Sequence, residues 1–368
     1  PISLAYGKKK GGIPELMVAQ CLEYKRGLAL RPLPALGMRR SQLGSLVDDD
    51  GNFDSKKVAD CRKGRLVWCL EAGQILFESQ YARPLSNYLA NHFPNIATGK
   101  DPFTINKFML QWNSKPFWIC IDYSKYDSTV QSWLIKEAFS IIKMFFDEQY
   151  HDEINWIQDN FINLPIIMPD GEMVWAHKGI KSGSYFTQIV GSIVNAYMVL
   201  SFLMHKNSCD EEKVMNQLFD IERPGTATFM CMGDDNIIFT YDEIDENELS
   251  VFMKETFGIE VSPVKCDVKV NRRTGVVRQY PVFLKRSWTP NGSDRNLVDL
   301  LVNLLHPERV REYKKKNFSP WHVIYGYFVT YPVAMRKITS EYEILENMHK
   351  DGGILKLKDM NPADLPGS

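Results

Sequence analysis

The sequence has almost no net charge: 44 Lys and Arg against 45 Asp and Glu leave −1. The total therefore argues neither for nor against a polyanionic partner, and only the local distribution can. Close cysteine pairs are lacking. The seven cysteines, Cys21, Cys61, Cys69, Cys120, Cys209, Cys231 and Cys266, form an odd set without zinc-ligand spacing. This argues against a disulfide scaffold or structural zinc site and favours a reducing compartment. The seven histidines are scattered, again without ligand spacing, which points to surface or core roles. No internal repeat or low-complexity segment occurs, so solenoids and propellers drop out. The longest apolar run, residues 185–204, approaches membrane-spanning length but contains Thr187, Gln188, Ser192, Asn195 and Ser201. It is expected to be a buried helix of a soluble protein. The chain opens Pro1-Ile2-Ser3, without an initiator methionine or a leader, and is expected to be a fragment or processed piece.

What is present is ordinary globular composition over 368 residues: 44% apolar, 12% aromatic and 24% charged. That excludes a disordered or fibrous chain, and the length suits two or three subdomains. Charge is segregated. Residues 1–65 carry 13 basic and 7 acidic side chains, and residues 265–316 carry 13 and 5, with acidic stretches at 147–159 and 242–248 between them. Basic flanks around an acidic centre suit a phosphate-rich ligand held over a metal site.

The middle of the chain alternates strands and helices. Residues 115–122 (KPFWICID) are a short apolar run ending in a carboxylate, a buried-strand pattern. Residues 130–146 place apolar side chains at helical spacing, and 183–204 form a second long helix. Two apolar strands, 226–232 and 236–241, enclose the tight turn Gly233-Asp234-Asp235, a hairpin pattern. A helix is expected over 248–257, stopping at Gly258, then strands over 259–270 and 276–288, and mostly helix from 294 with a break at Pro307. The expected class is α+β.

Carboxylates thus sit at strand ends: Asp122 after one strand, Asp234 and Asp235 in the hairpin turn. Aspartates so placed repel and lose solvation unless something neutralises them. A pair of Mg²⁺ ions does so, roughly 4 Å apart, for in-line nucleotidyl or phosphoryl transfer. The triplet Gly-Asp-Asp alone is a weak signal; its place between two apolar strands strengthens it.

The combination is stronger. In order come Asp122-Tyr-Ser-Lys-Tyr-Asp127, Ser182-Gly-Ser-Tyr-Phe-Thr187 followed by Asn195, and Met232-Gly-Asp-Asp-Asn236. This resembles the palm of viral RNA-dependent RNA polymerases, most closely the partitivirus-type enzymes of double-stranded RNA viruses. Residues 62–67 (RKGRLV) resemble the basic nucleotide-entry motif, 258–267 (GIEVSPVKCD) the fourth palm motif with its lysine, and 283–288 (FLKRSW) the primer-gripping hairpin. The resemblance implies a right-hand fold of fingers, palm and helical thumb: fingers over 1–115 with an insertion at 148–180, palm over 116–147 and 181–289, thumb over 290–368.

It also implies roles. Asp122 and Asp234 are the expected metal ligands, with Asp235 adjacent, for two Mg²⁺ ions with Mn²⁺ as a substitute. Asp127 is placed to meet the incoming ribose, with helix capping as its alternative. Ser182 and Gly183 let the backbone approach a nucleotide. Many related palms have asparagine four residues after the threonine; here Gly191 stands there, leaving Thr187, Ser192 or Asn195 as substitutes. Arg65, with Lys63 and Arg62, is expected over the triphosphate, since arginine binds phosphate bidentately. Lys265 is the expected general acid for pyrophosphate, with Lys269 as the alternative, and Lys285 and Arg286 the grip on the primer strand.

The implied partners are an RNA template and product strand, nucleoside triphosphates and a viral capsid protein, with no membrane, in the virion interior or host cytoplasm. A reverse transcriptase shares the carboxylates but tends to place an aromatic where Asp127 stands and another two before the acidic pair, where Met232 stands. A non-catalytic RNA-binding scaffold would have no need of Asp122, Asp234, Asp235, Lys265 and Arg65 together.

Overall fold

The structure is a computed structural model that describes residues 14–26, 31–43, 54–58, 62–207, 212, 227–261, 267–268, 279–305 and 320–335. In chain order the elements are α1 (Pro14–Lys25), β1 (Ala35–Leu43), β2 (Arg62–Cys69), α2 (Ala72–His92), α3 (Pro102–Trp112), β3 (Phe117–Cys120) and α4 (Tyr126–Thr129). Then follow α5 (Ser132–Lys143), α6 (His151–Ile162), β4 (Leu164–Ile167), β5 (Met173–Ala176), α7 (Thr187–Lys206), β6 (Thr228–Met232), β7 (Asp235–Thr240) and α8 (Glu246–Phe257). Last come β8 (Asp267–Val268), β9 (Val282–Phe283), β10 (Arg286–Thr289), β11 (Gly292–Asp294), α9 (Leu297–Leu305) and α10 (Pro320–Thr330). Two compact units result: Pro1–Arg40 with Leu66–Phe283, and Ser41–Arg65 with Leu284–Ser368.

The larger unit is built on an antiparallel sheet in the order β6-β7-β3-β8. Register pairs Thr228 with Phe239 and Met232 with Asp235 in the hairpin, and Phe117 with Thr240 and Ile119 with Ile238 across β7 and β3. These strands are apolar on both faces because both faces are covered. Phe229, Cys231, Ile238, Ile119 and Ile121 join the main core with α5, α7 and α8. Phe239 and Trp118, paired on the opposite face, are also buried, and Phe108 of α3 lies edge-on to Phe239 at 6.4 Å. The outer edge of β6 is closed by the chain at 95–97, where Ala97 N–H donates to the Cys231 carbonyl and Cys231 N–H to the Asn95 carbonyl, both at 2.8 Å.

Helix α7 is the apolar run of residues 185–204. By length and composition it is long and apolar enough to cross a membrane, yet 61% of that window is buried inside the protein. Ile189, Val190, Ile193, Val194, Met198, Val199, Phe202 and Leu203 all lie in the main core. At about 1.5–3 kcal/mol per buried side chain they contribute on the order of 10–20 kcal/mol, an upper bound for a compact unfolded chain.

A second sheet runs β2-β1-β4-β5, with β1 parallel to β4 (Ala35 opposite Ile166) and β4 antiparallel to β5. In the smaller unit β10 and β11 form an antiparallel hairpin, and Leu300, Tyr331 and Ala334 make a small core around α9 and α10.

The α+β expectation holds. The helix expected from 183 begins at Thr187, after an irregular segment. The continuous strand expected over 276–288 is instead interrupted: Leu284 and Lys285 both take φ of 57°, and this left-handed pair separates β9 from β10. Most of the strand expected over 259–270 and the break at Pro307 lie outside the described residues.

Candidate active site

The hairpin between β6 and β7 turns on two residues, Gly233 and Asp234. Gly233 has φ of 63°, the positive angle that a type II′ turn requires at its first central position and that glycine adopts without penalty. Asp234 stands at the exposed tip, and Asp235 opens β7 half-buried. On the neighbouring strand the chain leaves β3 at Cys120. Ile121 N–H donates to Asn236 Oδ1 at 3.2 Å, Asp122 follows exposed, and Ser124 N–H then donates to the Glu260 carbonyl at 2.8 Å. Register thus brings Asp122, Asp234 and Asp235 to one end of the sheet. Among the described residues no group of three or more His, Cys, Asp or Glu side chains converges closely enough to hold a metal ion. Asp122 and Asp234, both exposed, and the half-buried Asp235 are hard oxygen donors at that end.

Asn195 fastens this turn. It is fully buried on α7. Its amide Nδ2 donates to the carbonyls of Gly233 (2.9 Å) and Asp235 (3.2 Å), while Oδ1 accepts from Tyr123 Oη (3.1 Å) and Asn236 Nδ2 (3.2 Å). Two donors on one side and two carbonyls on the other leave a single orientation for the amide. Ser192, also fully buried, accepts from Gly233 N–H at 2.8 Å and donates to the Gln188 carbonyl. Its one proton being used, Thr98 Oγ1 is the donor in the 2.9 Å contact between the two hydroxyls. Gly191 faces the turn: a Cβ there would meet Gly233 Cα at 3.4 Å, an ordinary packing distance, and the Gly191 carbonyl accepts from Tyr126 Oη at 2.7 Å. Burial holds the Tyr126 phenol well above its ordinary pKa, reinforced by Tyr123 and Cys231 and then by the charges of Asp234 and Asp127. It stays a neutral donor to the Gly191 carbonyl.

Asp127 lies exposed in the single turn α4, behind Lys125 in the left-handed region (φ 52°). The capping alternative finds no support, because α5 starts from Gln131 and carries no side-chain cap. The backbone of Asp127 holds the next segment, its carbonyl accepting from Ile180 N–H at 2.6 Å.

The segment 181–187 is wired to two other elements. Ser182 Oγ accepts a long bond from Trp68 N–H (3.4 Å) in β2. Gly183 makes its close approach to protein: a Cβ would sit 2.1 Å from the Trp68 carbonyl oxygen. The glycine expected to let the backbone approach a nucleotide therefore approaches β2. The one Thr187 Oγ1 proton is shared between the carbonyls of Ser184 (2.7 Å) and Lys181. Lys181 is buried with its ammonium on the carbonyls of Lys178 and Gly179, and burial lowers its pKa to about 8. Of the three candidates for the missing asparagine, Ser192 and Asn195 are buried on protein partners and Thr187 serves its own loop.

Sequence reasoning missed Glu78 of α2. Its carboxylate is fully buried; Oε2 accepts from Ser184 Oγ (2.7 Å) and Tyr185 N–H (2.9 Å), and Oε1 from Gln74 Nε2 (2.9 Å). Burial pushes its pKa up and these hydrogen bonds pull it back, leaving it at about 7. A carboxylate among Phe77, Tyr81, Ala82 and Leu85 was the available signal.

The remaining candidates belong to the smaller unit or are undescribed. Arg62 and Lys63 open β2; Arg65, exposed, belongs with them to the smaller unit. Lys285 is exposed at its turn, and the Arg286 guanidinium lies over the rings of Tyr331 (4.9 Å) and Trp288 (5.7 Å). Lys265 lies outside the described residues, as does Lys269.

Comparison with known proteins agrees with this geometry. Residues 51–352 match the model of the viral RNA-dependent RNA polymerase family. The RNA-directed RNA polymerase of Cryptosporidium parvum virus 1 is 29% identical over 186 residues, which is 48% of this chain and 32% of that protein. The non-structural polyprotein 1AB of ovine astrovirus 1 is 26% identical over 163 residues, 42% of this chain and 12% of that one. The crystal structure of the RNA-dependent RNA polymerase of a human picorbirnavirus superposes with a TM-score of 0.59 at 16% identity, over 80% of this chain and 52% of that one. The chain thus spans about a third of the first relative and about half of the solved structure. The fold is the right-hand polymerase fold, and with the family model covering well over half of its length, the chain belongs to the viral RNA-dependent RNA polymerases.

Proposed function

We propose that this chain is the catalytic core of an enzyme that synthesises RNA on an RNA template by two-metal nucleotidyl transfer, for viral replication and transcription. The observation that supports this most is the exposed pair Asp122 and Asp234 at one end of a buried antiparallel sheet, beside a loop anchored to α2 and β2. Members of this family use divalent metal ions. Mg²⁺, with Mn²⁺ as a substitute, suits the donor set: it binds through one or two carboxylates plus substrate phosphates and water, so two exposed aspartates suffice without a protein-only cage. Asp122 and Asp234 would hold it, with Asp235 beside them. The bound metal would lower the pKa of the primer 3′-hydroxyl and neutralise the triphosphate and leaving pyrophosphate.

The chain's own groups supply the rest. Asp127, exposed five residues after Asp122, is the acceptor for the ribose 2′-hydroxyl, and Ser182 offers a hydroxyl on the same loop system. Thr187 and Asn195 act through protein groups, holding the loop and the turn. By motif resemblance Arg62, Lys63 and Arg65 take the triphosphate, Lys265 protonates pyrophosphate, and Lys285 and Arg286 grip the product strand. Fingers, palm and thumb would follow the boundaries given above. A capsid protein is the expected packaging partner, in the virion interior or host cytoplasm. Single-nucleotide extension of a primed RNA template in Mg²⁺, with ribonucleotides against deoxyribonucleotides, tests the proposal. Preferential ribonucleotide incorporation is expected; a preference for deoxyribonucleotides, or none without a DNA template, would overturn it.

A further inference from the structure

We infer that Glu78 is a positioning residue for nucleotide binding, which sets the depth of the loop 182–187 by accepting hydrogen bonds from Ser184 and Tyr185. The inference rests on the assignment of that loop to the incoming nucleotide. The loop is irregular, and side chains alternate along it: Ser182 and Tyr185 are exposed, whereas Ser184 and Phe186 are buried. What turns Ser184 inward is one carboxylate oxygen of Glu78, shared by its hydroxyl (2.7 Å) and the next N–H (2.9 Å). Ser184 Oγ in turn accepts from Phe186 N–H at 3.0 Å, so the same contact shapes the entry into α7. Arg83, also on α2, donates to Tyr185 Oη at 3.0 Å and stacks on its ring at 5.5 Å. Beyond the loop's own bonds, its polar anchors include these two α2 side chains and Trp68 of β2, while Phe186 packs on Phe139 in the main core. Residue 183 has no side chain with which to adjust, and a Cβ there would collide with Trp68.

The device needs an acceptor rather than a charge. Gln74 donates to Glu78 Oε1, while Gln74 Oε1 is buried without a partner. Turning the Gln74 amide would let it accept from a protonated carboxyl or from a glutamine at 78, leaving the other oxygen facing Ser184 and Tyr185. Glu78→Gln should therefore preserve the loop, and Glu78→Leu should release it by removing the acceptor of the Ser184 hydroxyl and the Tyr185 N–H, and that of the Gln74 amide with them.

The test measures ribonucleotide KM and kcat in the intact protein, with deuterium exchange of the peptide covering 182–187 as a readout independent of activity. For Glu78→Leu the expected result is a KM raised roughly tenfold, with kcat changed less than about threefold. Exchange of the loop should become at least about tenfold faster. Glu78→Gln should stay within about twofold of the parent in both. Ser184→Ala, which removes one donor from the loop side, should raise KM by a smaller factor and tests the same contact if the leucine variant does not fold. Parental KM and exchange in the leucine and alanine variants would overturn the inference, as would a glutamine variant as impaired as the leucine one. A parent that incorporates no ribonucleotide would instead contradict the proposed function, whatever the exchange data show.

Discussion

Replacing Glu78 by glutamine should reshape the pH dependence of stability in a direction fixed by its burial. The ordinary carboxyl value is 4.5, and burial, opposed by three hydrogen bonds, raises it to about 7 in the folded protein. Between those values the native state holds a proton that the unfolded chain has released. Stability from this group is therefore fully present below about pH 4.5 and is lost as pH rises through about 7. A displacement of that size is worth about 3 kcal/mol, at 1.36 kcal/mol per pKa unit. Glutamine carries the shape and hydrogen-bonding capacity of the protonated carboxyl without the titration. In urea denaturation followed from pH 4 to 8, the variant should match the parent near pH 4. It should become progressively more stable than the parent as pH rises from about 4.5 to 7, by about 2 kcal/mol at pH 6 and levelling off at about 3 kcal/mol by pH 8. A parent-minus-variant difference that is flat with pH, or that grows toward acid, would refute the reasoning. It would mean that the hydrogen bonds from Ser184, Tyr185 and Gln74 fully offset the burial of the charge.

Two further perturbations probe the support of the site. Asn195→Ala should orphan the Tyr123 hydroxyl, the Asn236 amide and the carbonyls of Gly233 and Asp235; at about 1–3 kcal/mol per orphan and less than additively, a loss of about 3–5 kcal/mol in chemical denaturation is expected, and a loss under about 1 kcal/mol would show that the turn holds itself. Gly183→Ala places a methyl 2.1 Å from the Trp68 carbonyl oxygen, so the backbone must move; about 2 kcal/mol or more of destabilisation and a raised ribonucleotide KM are expected, and an unaffected melting temperature with parental KM would contradict that contact.

The parts of the fold legible in the sequence were those whose period was strong. The hairpin around Gly233-Asp234 and the helices of 132–143 and 246–257 were readable because one face, or two short apolar strands, carried nearly all the burial. Helix α2 was not read at all. It buries Gln74, Glu78 and Ser79 along with its apolar residues, so its polar and apolar side chains do not separate into faces. Helix α3 carried a readable start, Asp101 capping the N–H groups of Phe103 and Thr104 with Pro102 at the first helical turn. The break at Leu284-Lys285 was hidden because neither residue type signals a left-handed backbone.

The site shows the same division. Asp122, Asp127 and Asp234 were visible because motif spacing marks the carboxylates themselves. What the second layer does was not visible, since it depends on which buried groups lack partners. Gly183 was expected to make room for a nucleotide and makes room for Trp68. Asn195, one of three candidates for a ribose contact, instead joins α7, the acidic turn and the end of β3. Spacing along the chain records neither partnership, because both are set by packing between elements distant in sequence.

The central claim, that the exposed carboxylates at the end of the sheet carry nucleotidyl transfer, is tested most directly by Asp234→Asn in primed single-turnover extension with Mg²⁺, with RNA affinity measured alongside. Asparagine keeps the shape at the exposed turn and removes the charge that would hold the metal. The account predicts at least about a hundredfold loss of incorporation, with RNA binding changed less than about threefold. Incorporation within about tenfold of the parent would contradict it.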